Sequence, residues 1–135
     1  MLGQPIKIVI ADDNSPFRNA LKKLFGKTSE VEVEVLGEAE NGEQLVRLVE
    51  EKQPDIVISD IGMPVMNGID ATRIIKRRFP NVKVIAFSLF DDVNHINGMI
   101  NAGASGYLLK NISIEDFISG ITSVYGGSTY FKTSL

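Results

Sequence analysis

The chain has 135 residues, 44% of them hydrophobic and 23% charged, which suits one globular domain with a buried core. No apolar stretch reaches the roughly 18 to 20 residues that cross a bilayer, and no cysteine is present for a disulfide or a thiolate metal site. The net charge of -3 argues against direct nucleic-acid binding by this segment. Because the first residues also lack the features of a signal peptide, we expect a cytoplasmic protein that makes no membrane contact.

Short apolar runs alternate with longer segments of helical periodicity, a pattern typical of a parallel sheet with helices on both faces. The five predicted strands are Ile6–Ala11, Glu32–Ala39, Ile56–Asp60, Lys83–Ser88 and Gly106–Lys110. Four runs are almost continuously apolar, whereas the second alternates Glu and Val and is expected at a sheet edge with one solvated face. The sequence therefore predicts a single doubly wound (βα)5 domain with a five-stranded parallel sheet in the order 2-1-3-4-5.

Five predicted helices follow these strands, and a polar residue that can cap a helix precedes each of them. The predicted caps are Ser15 for the first helix, Asn41 for the second, Asp91 or Asp92 for the fourth and Ser113 for the fifth, and the third helix is predicted to start near Asn67-Gly68. Pro16 suits the first position of the first helix, and Gly26 indicates its end.

Charged and polar residues stand at the carboxyl ends of four predicted strands. Asp12 and Asp13 follow the first strand, Asp60 ends the third, and Ser88 and Lys110 end the fourth and fifth. The carboxyl ends of parallel strands share one edge of the sheet, so these groups would meet there. Three carboxylates that close repel one another unless a cation lies among them, which favours a divalent ion with oxygen ligands.

Each of these residues also has a simpler interpretation. The pair Asp12-Asp13 could only cap the first helix, and Asp60 could lie in a solvated turn. Lysine is more often a surface residue, and serine more often a strand-end hydroxyl. Their joint placement on four strands favours a functional site. His95, the single histidine, is expected to be solvated on a surface helix and is no metal site alone.

Four segments together resemble the receiver domains of bacterial two-component response regulators, which have a flavodoxin-like fold. These segments are Asp12–Asp13, Asp60–Gly68, Ser88 and Ala102–Lys110. The dipeptide Lys110-Asn111 and the tail Tyr125–Phe131 are most similar to the NarL/FixJ subgroup, which usually carries a LuxR-type helix-turn-helix behind the receiver. We therefore assign residues 1–126 to a receiver domain and residues 127–135 to a tail or the start of a linker to an absent effector domain.

The resemblance implies that Asp60 accepts a phosphoryl group from the phosphohistidine of a sensor histidine kinase. The domain would then be a phosphoacceptor that assists its own phosphorylation and dephosphorylation, not an enzyme. Mg²⁺ is the implied cofactor, and its implied ligands are Asp12, Asp13, Asp60 and the backbone carbonyl of Gly62. Lys110 would pair with one phosphoryl oxygen, and Ser88 would hydrogen-bond another.

The resemblance also implies a conformational switch. Ser88 moving toward the phosphoryl group would leave room for Tyr107 to change rotamer, which would alter the face made by the fourth helix, fifth strand and fifth helix. That face would support a homodimer on phosphorylation, and DNA would be bound only through a C-terminal helix-turn-helix domain. Gly62 and Phe90 place no acid or amide near an attacking water, so we expect a longer phosphoryl lifetime than in receivers that have such groups at these positions.

Three other functions fit parts of the pattern. A flavodoxin-like cofactor binder shares the fold, but the acidic pair Asp12-Asp13 would repel a phosphate at the first loop. A Mg²⁺-dependent phosphohydrolase with an aspartate nucleophile shares the chemistry, but the Asp-x-Asp motif expected after the first strand is missing. A stand-alone receiver that acts through protein–protein contacts is the third alternative.

Overall fold

The computed structural model describes residues 4–132, in which six strands and five helices alternate. The strands are β1 (Ile6–Ala11), β2 (Val33–Ala39), β3 (Ile56–Ser59), β4 (Lys83–Ser88), β5 (Gly106–Leu109) and β6 (Tyr130–Lys132). The helices are α1 (Ser15–Lys27), α2 (Gly42–Lys52), α3 (Gly68–Arg78), α4 (Val93–Ala102) and α5 (Ile114–Tyr125). The predicted alternation of strands and helices is confirmed, and each predicted strand end lies within about one residue of the observed one.

All strands are parallel and follow the order β2-β1-β3-β4-β5-β6, so the prediction of a five-stranded sheet was wrong by one strand. The sixth strand lies in the segment 127–135 that the sequence had assigned to a tail. It pairs with the outer edge of β5, where Tyr130 is opposite Gly106 and Lys132 is opposite Leu108. Gly127, at φ 101°, lies between α5 and β6 in a conformation that residues with a Cβ rarely adopt. The strand Tyr130–Lys132 is too short to show a periodic pattern in the sequence, and it forms because the edge of β5 supplies its hydrogen-bond partners.

Helices cover both faces of the sheet, and each face has its own apolar core. Helices α2, α3 and α4 pack over one face, which includes Val57 and Val84, while α1 and α5 pack over the face of Ile58 and Ile85. The central strands need apolar residues at successive positions because neighbouring side chains point to opposite faces. The edge position predicted for β2 is confirmed. No helix within residues 4–132 is long and apolar enough to span a membrane.

A polar side chain caps the start of every helix. Asn41 and Ser113 cap α2 and α5 as predicted, Asp92 is one of the two residues predicted to cap α4, and Asn67 caps α3 at the predicted start of that helix. Each of these four side chains accepts a hydrogen bond from the backbone amide three residues on. The first cap differs from the prediction, because Asn14 accepts the amide of Phe17 at 3.0 Å and Ser15 is already the first helical residue. The carboxylate of Asp12 fixes this cap by accepting the Asn14 amide at 2.9 Å. The helix ends at Lys27, one residue beyond Gly26.

Candidate metal and phosphoryl-acceptor site

The acidic residues after β1 and β3 lie together because these two strands are paired in register. Ala11 is opposite Ser59, and the amide of Asp60 donates to the carbonyl oxygen of Ala11 at 2.9 Å. One carboxylate oxygen from each of Asp12, Asp13 and Asp60 lies within 4.8 Å of the other two. Three acidic groups at this spacing form a set of hard oxygen ligands, of the kind that divalent cations such as Mg²⁺ prefer.

Arg18 of α1, which itself pairs with Glu38 of β2, holds the backbone of Asp12 in place. The residue is only 2% exposed, and Nη1 of Arg18 on α1 donates to its backbone carbonyl at 2.6 Å. Arg18 is buried as well, and its Nε donates to Oε1 of Glu38 on β2 at 2.9 Å. The hydrogen bond from Lys22, helped by Arg18 and opposed by desolvation, lowers the pKa of Glu38 and keeps this partner ionised. Because Asn14 caps α1, neither Asp12 nor the exposed Asp13 serves as the helix cap.

Lys110 brings a fixed positive charge to the acidic residues from the end of β5. Its Nζ lies 2.7 Å from Oδ2 of Asp12 and 3.2 Å from Oδ2 of Asp60, and 4.2 Å above the ring of Phe17. Burial acts to lower the pKa of Lys110, but the hydrogen bond with Asp12 and the charge of Asp60 outweigh it and raise the pKa. The ammonium group therefore stays charged at neutral pH and bridges β1 and β3.

Asp60 is only partly compensated by this lysine. Its Oδ1 accepts the amide of Ile61 at 2.8 Å, and its Oδ2 accepts from Lys110. Desolvation nevertheless raises the pKa of Asp60, with Lys110 opposing the shift and the charge of Asp12 adding to it. Three carboxylates at this spacing face the one ammonium group of Lys110, so the cluster carries an excess of negative charge. A divalent cation among Asp12, Asp13 and Asp60 would offset this excess.

Close backbone contacts fix the loop between β3 and α3, which carries Asp60. A Cβ at Gly68 would lie 2.0 Å from the carbonyl oxygen of Asp60, and one at Gly42 would lie 2.5 Å from the carbonyl oxygen of Met66. The Gly42 amide donates to that same oxygen at 2.7 Å. Val65 has φ 68°, an unusual conformation for a β-branched residue. The conformation of this loop therefore depends on glycine at Gly68, where α3 begins, and at Gly42 of α2, which packs against the loop. The loop backbone is also strained at Val65.

Ser88 and Tyr107 are joined through Phe90. Both side chains are fully buried; Ser88 Oγ accepts the amide of Phe90 at 3.1 Å, and the Tyr107 hydroxyl donates to the carbonyl of Phe90 at 2.6 Å. Desolvation raises the pKa of Tyr107, so its hydroxyl stays protonated and remains a donor. A pocket of about 170 Å³ opens beside these groups, and it is lined by Asp60, Gly62, Ser88, Leu89, Phe90 and Lys110.

The structure therefore brings the residues predicted from four strand ends to one edge of the sheet, and it adds one residue that sequence reasoning missed. His95 was expected to be solvated. Its side chain is 35% exposed on α4, in line with that expectation, but its ring also stacks on the ring of Phe90, with 4.0 Å between the centroids, and its Nδ1 lies 2.7 Å from Oδ1 of Asp92. The spacing of Asp92 and His95 on one helix turn was the only available sign, and it could not show that Phe90 lies beside them.

Comparison with known proteins agrees with this geometry. Residues 8–122 match the family described as the response regulator receiver domain. The chain is 41% identical over 125 residues to the transcriptional regulatory protein DegU of Brevibacillus brevis, covering 93% of this chain and 52% of that protein. It is 35% identical over 131 residues to the oxygen regulatory protein NreC of Staphylococcus epidermidis, covering 96% and 59%. The chain thus spans between half and three fifths of the length of these curated relatives.

Solved structures give the same result. A two-component response regulator of the LuxR family from Aurantimonas sp. SI85-9A1 superposes with a TM-score of 0.86 at 26% identity, over 94% of this chain and 89% of that one. A DNA-binding response regulator of the LuxR family from Staphylococcus aureus superposes with a TM-score of 0.78 at 32% identity, over 89% and 98%.

Fold, strand-end residues and relatives all lead to one family. The match over residues 8–122 covers most of the chain, and the relatives are named as transcriptional and response regulators. The chain belongs to the receiver domains of response regulators, and within them it is most like the LuxR/NarL type.

Proposed function

We propose that Asp60 accepts a phosphoryl group from the phosphohistidine of a sensor histidine kinase. The observation that carries this proposal is the convergence of Asp60 with Asp12, Asp13 and Lys110 beside a solvent-open pocket. In the transfer, a carboxylate oxygen of Asp60 forms a bond to phosphorus while the bond from phosphorus to the histidine nitrogen breaks. The imidazole keeps the electron pair of the broken bond. The product is an aspartyl phosphate on this chain.

Lys110 and Ser88 would neutralise and orient the transferring group. A carboxylate that approaches a phosphoryl group meets negative charge, so the site has to supply positive charge and hydrogen-bond donors. The ammonium of Lys110 already lies 3.2 Å from Asp60, within reach of an oxygen on a phosphoryl group attached there. The hydroxyl of Ser88 lines the same pocket and would donate to a second phosphoryl oxygen.

Mg²⁺ is the cofactor that we propose for this site. Its ligands would be carboxylate oxygens and one backbone oxygen, from Asp12, Asp13, Asp60 and Gly62. The spacing of the three carboxylates, which face only the one ammonium group of Lys110, supports a cation here. When bound, the ion supplies charge neutralisation for the phosphoryl oxygens and for the ligands themselves.

The contacts around Phe90 suggest how phosphorylation would be transmitted. Ser88 would leave the Phe90 amide, which it now accepts, to donate to the phosphoryl group. The backbone of Phe90 also accepts from Tyr107, so a shift of this loop would change the environment of Tyr107 and the face of α4, β5 and α5. This is a redistribution between two packings of one fold. A homodimer formed through that face on phosphorylation is part of the proposal.

We further propose that the output is DNA binding by a separate domain of a longer protein. This follows from the relatives, which are transcriptional regulators of which the chain covers 52% to 59%. The structure supports a short route to such a domain, because Lys132 of β6 lies opposite Leu108 of β5, two residues before Lys110. The carboxyl end of β6, the last described strand, is therefore at the end of the sheet that carries Asp60.

The direct test is incubation with Mg²⁺ and acetyl phosphate, followed by intact-mass measurement. We expect the wild type to gain one phosphoryl group and Asp60→Asn to gain none. Asp13→Asn keeps Asp60 and should need at least about tenfold more Mg²⁺ for the same labelling. Equal labelling of Asp60→Asn would place the acceptor elsewhere. Release of phosphate over many cycles would indicate the phosphohydrolase alternative.

A further inference from the structure

The ring of Phe90 lies at the wall of the acceptor pocket. A Cβ built at Gly62 would be 3.4 Å from Cε2 and 3.7 Å from Cζ of Phe90, so the edge of the ring faces the backbone of Gly62. Gly62 and Phe90 both line the pocket that contains Asp60. A phenyl ring there occupies the space beside the acceptor and offers no atom that could orient a water molecule.

The ring of Phe90 is not held by the hydrophobic core. Phe90 is 40% exposed, and the hydrogen bonds from its amide to Ser88 and from Tyr107 to its carbonyl fix its backbone only. Rotation about χ1 would carry the ring away from Gly62 without breaking either bond. Something else must therefore favour the rotamer that covers the pocket.

His95 is the residue placed to favour that rotamer. Its ring is nearly parallel to that of Phe90, with 6° between the planes and 4.0 Å between the centroids. The imidazole is fixed in turn by Asp92, because its Nδ1 lies 2.7 Å from Oδ1 and 2.8 Å from Oδ2 of that carboxylate. The Asp92 side chain is oriented by its role as the cap of α4, in which it accepts the backbone amide of His95 at 3.2 Å. The contacts run from the helix cap to the pocket wall.

We propose that His95 is a positioning residue that keeps Phe90 over the acceptor pocket and thereby slows hydrolysis of the aspartyl phosphate. This inference rests on the proposed phosphorylation of Asp60. In hydrolysis, a water oxygen forms a bond to phosphorus as the bond from phosphorus to Asp60 breaks, and the carboxylate leaves with the electron pair. The attacking water has to be aligned with the breaking bond, and a ring held at the pocket wall leaves it fewer such positions.

The test measures hydrolysis separately from phosphorylation. The full chain is labelled with acetyl phosphate and Mg²⁺, freed of the donor by rapid desalting, and followed by intact mass over time. We expect His95→Ala to take up the label at the same initial rate as the wild type and to lose it about three- to tenfold faster after desalting, which is the change that loss of one aromatic contact would produce. His95→Phe keeps a stacking ring and should restore a lifetime close to that of the wild type.

Two further variants locate the effect. Asp92→Ser retains a good helix cap and removes the carboxylate that holds the imidazole, so its label should be lost faster than in the wild type. Asn94→Ala, an exposed change on the same helix turn, is the matched control and should not alter the rate. Urea unfolding of each variant checks that α4 is intact.

Combining substitutions of the two rings shows whether His95 acts on hydrolysis through Phe90. Phe90→Ala should shorten the lifetime, and His95→Ala should then add no further acceleration in that background. A wild-type hydrolysis rate in His95→Ala, or an unchanged acceleration by His95→Ala when Phe90 is already Ala, would overturn the inference. Failure of the wild type to take up any label would instead overturn the proposed function, on which the inference rests.

Discussion

The two ends of the parallel sheet differ in a way that cavity size does not reveal. The larger cavity, of about 290 Å³, lies at the amino ends of the strands and is lined by Gln53, Pro54, Asp55, Asn81, Val82, Lys83 and Tyr125. The pocket at the carboxyl ends has about 170 Å³. It adjoins Asp12, Asp13 and Asp60, the one group of three acidic residues within residues 4–132 whose carboxylate oxygens lie within 4.8 Å of one another. Converging charge, and not cavity volume, distinguishes the end of the sheet that we propose to be functional.

The backbone is also more tightly constrained at the carboxyl end of the sheet than at the amino end. At the carboxyl end, Gly42 and Gly68 lie so close to neighbouring carbonyl groups that a Cβ would collide with them. Val65, in the loop between β3 and α3, has a positive φ. At the amino end, Asp55 accepts the amide of Lys7 in an exposed hydrogen bond. Substitutions at the carboxyl end should therefore change both stability and chemistry, whereas those at the amino end should change neither by much.

The largest effect is expected for Gly68→Ala. Its Cβ would lie 2.0 Å from the carbonyl oxygen of Asp60 and 3.0 Å from Cα of Ile61, so the acceptor loop would have to move. We expect a loss of about 3 kcal/mol or more in the free energy of unfolding, together with reduced phosphoryl uptake. Urea unfolding and intact mass measure the two effects. Gly26→Ala in α1, where nothing lies within 4 Å, is the control and should be neutral or stabilising by up to about 1 kcal/mol.

Asp60→Asn should raise the free energy of unfolding of the metal-free protein at pH 7, by something on the order of 1 kcal/mol. Burial raises the pKa of Asp60 above that of the unfolded chain, so its ionised form lowers stability at neutral pH. This penalty disappears as the pH falls through the folded pKa, where the folded protein takes up the proton first. Urea unfolding in EDTA should therefore show a gain at pH 7 that shrinks toward pH 4, about the unfolded value.

A gain that grew on acidification would show that the raised pKa of Asp60 is wrong. Saturating Mg²⁺ provides the matched control for charge. It should stabilise the wild type more than Asp60→Asn, because the wild type has one more charged ligand and should bind the ion more tightly.

Val65→Gly should raise the free energy of unfolding by about 0.5 to 1 kcal/mol. The residue is exposed at φ 68°, and the Met66 amide donates to the carbonyl of Pro64 across it at 2.7 Å. A strained backbone costs about 1 to 3 kcal/mol, and the flexibility of glycine in the unfolded chain removes part of the gain. Val65→Ala keeps a Cβ and should gain less. Urea unfolding that ranked alanine above glycine would contradict the assignment of strain.

The smallest effect is expected at the amino end. Asp55→Asn keeps an oxygen that can accept the Lys7 amide, now 2.9 Å from the carboxylate, so stability should change by no more than about 0.5 kcal/mol. Phosphoryl uptake should stay at the wild-type level in the intact-mass experiment. A clear drop in uptake would mean that the chemistry reaches both ends of the sheet, and the comparison drawn above would fail.

Much of the site could be read from the sequence because its residues stand directly after apolar strands. A parallel sheet brings such positions to one edge whatever the details of packing, which is why Asp12, Asp60 and Lys110 could be placed together in advance. The sequence did not show which carboxylate Lys110 would lie nearer to, or what would support that carboxylate. Lys110 lies nearer to Asp12 than to Asp60, and the support of Asp12 by Arg18 depends on how α1 lies against β2.

By itself the sequence determined the alternation of strands and helices, the starts of the helices to within about one residue, and the identity of the charged strand ends. These are local properties, set by hydrophobic period and by side chains that bond to nearby backbone. Only the tertiary structure decided that Tyr130–Lys132 forms a sixth strand and that His95 stacks on Phe90. Both depend on partners brought close by folding, the edge of β5 in one case and the loop after β4 in the other, and no pattern of neighbouring residues encodes such contacts.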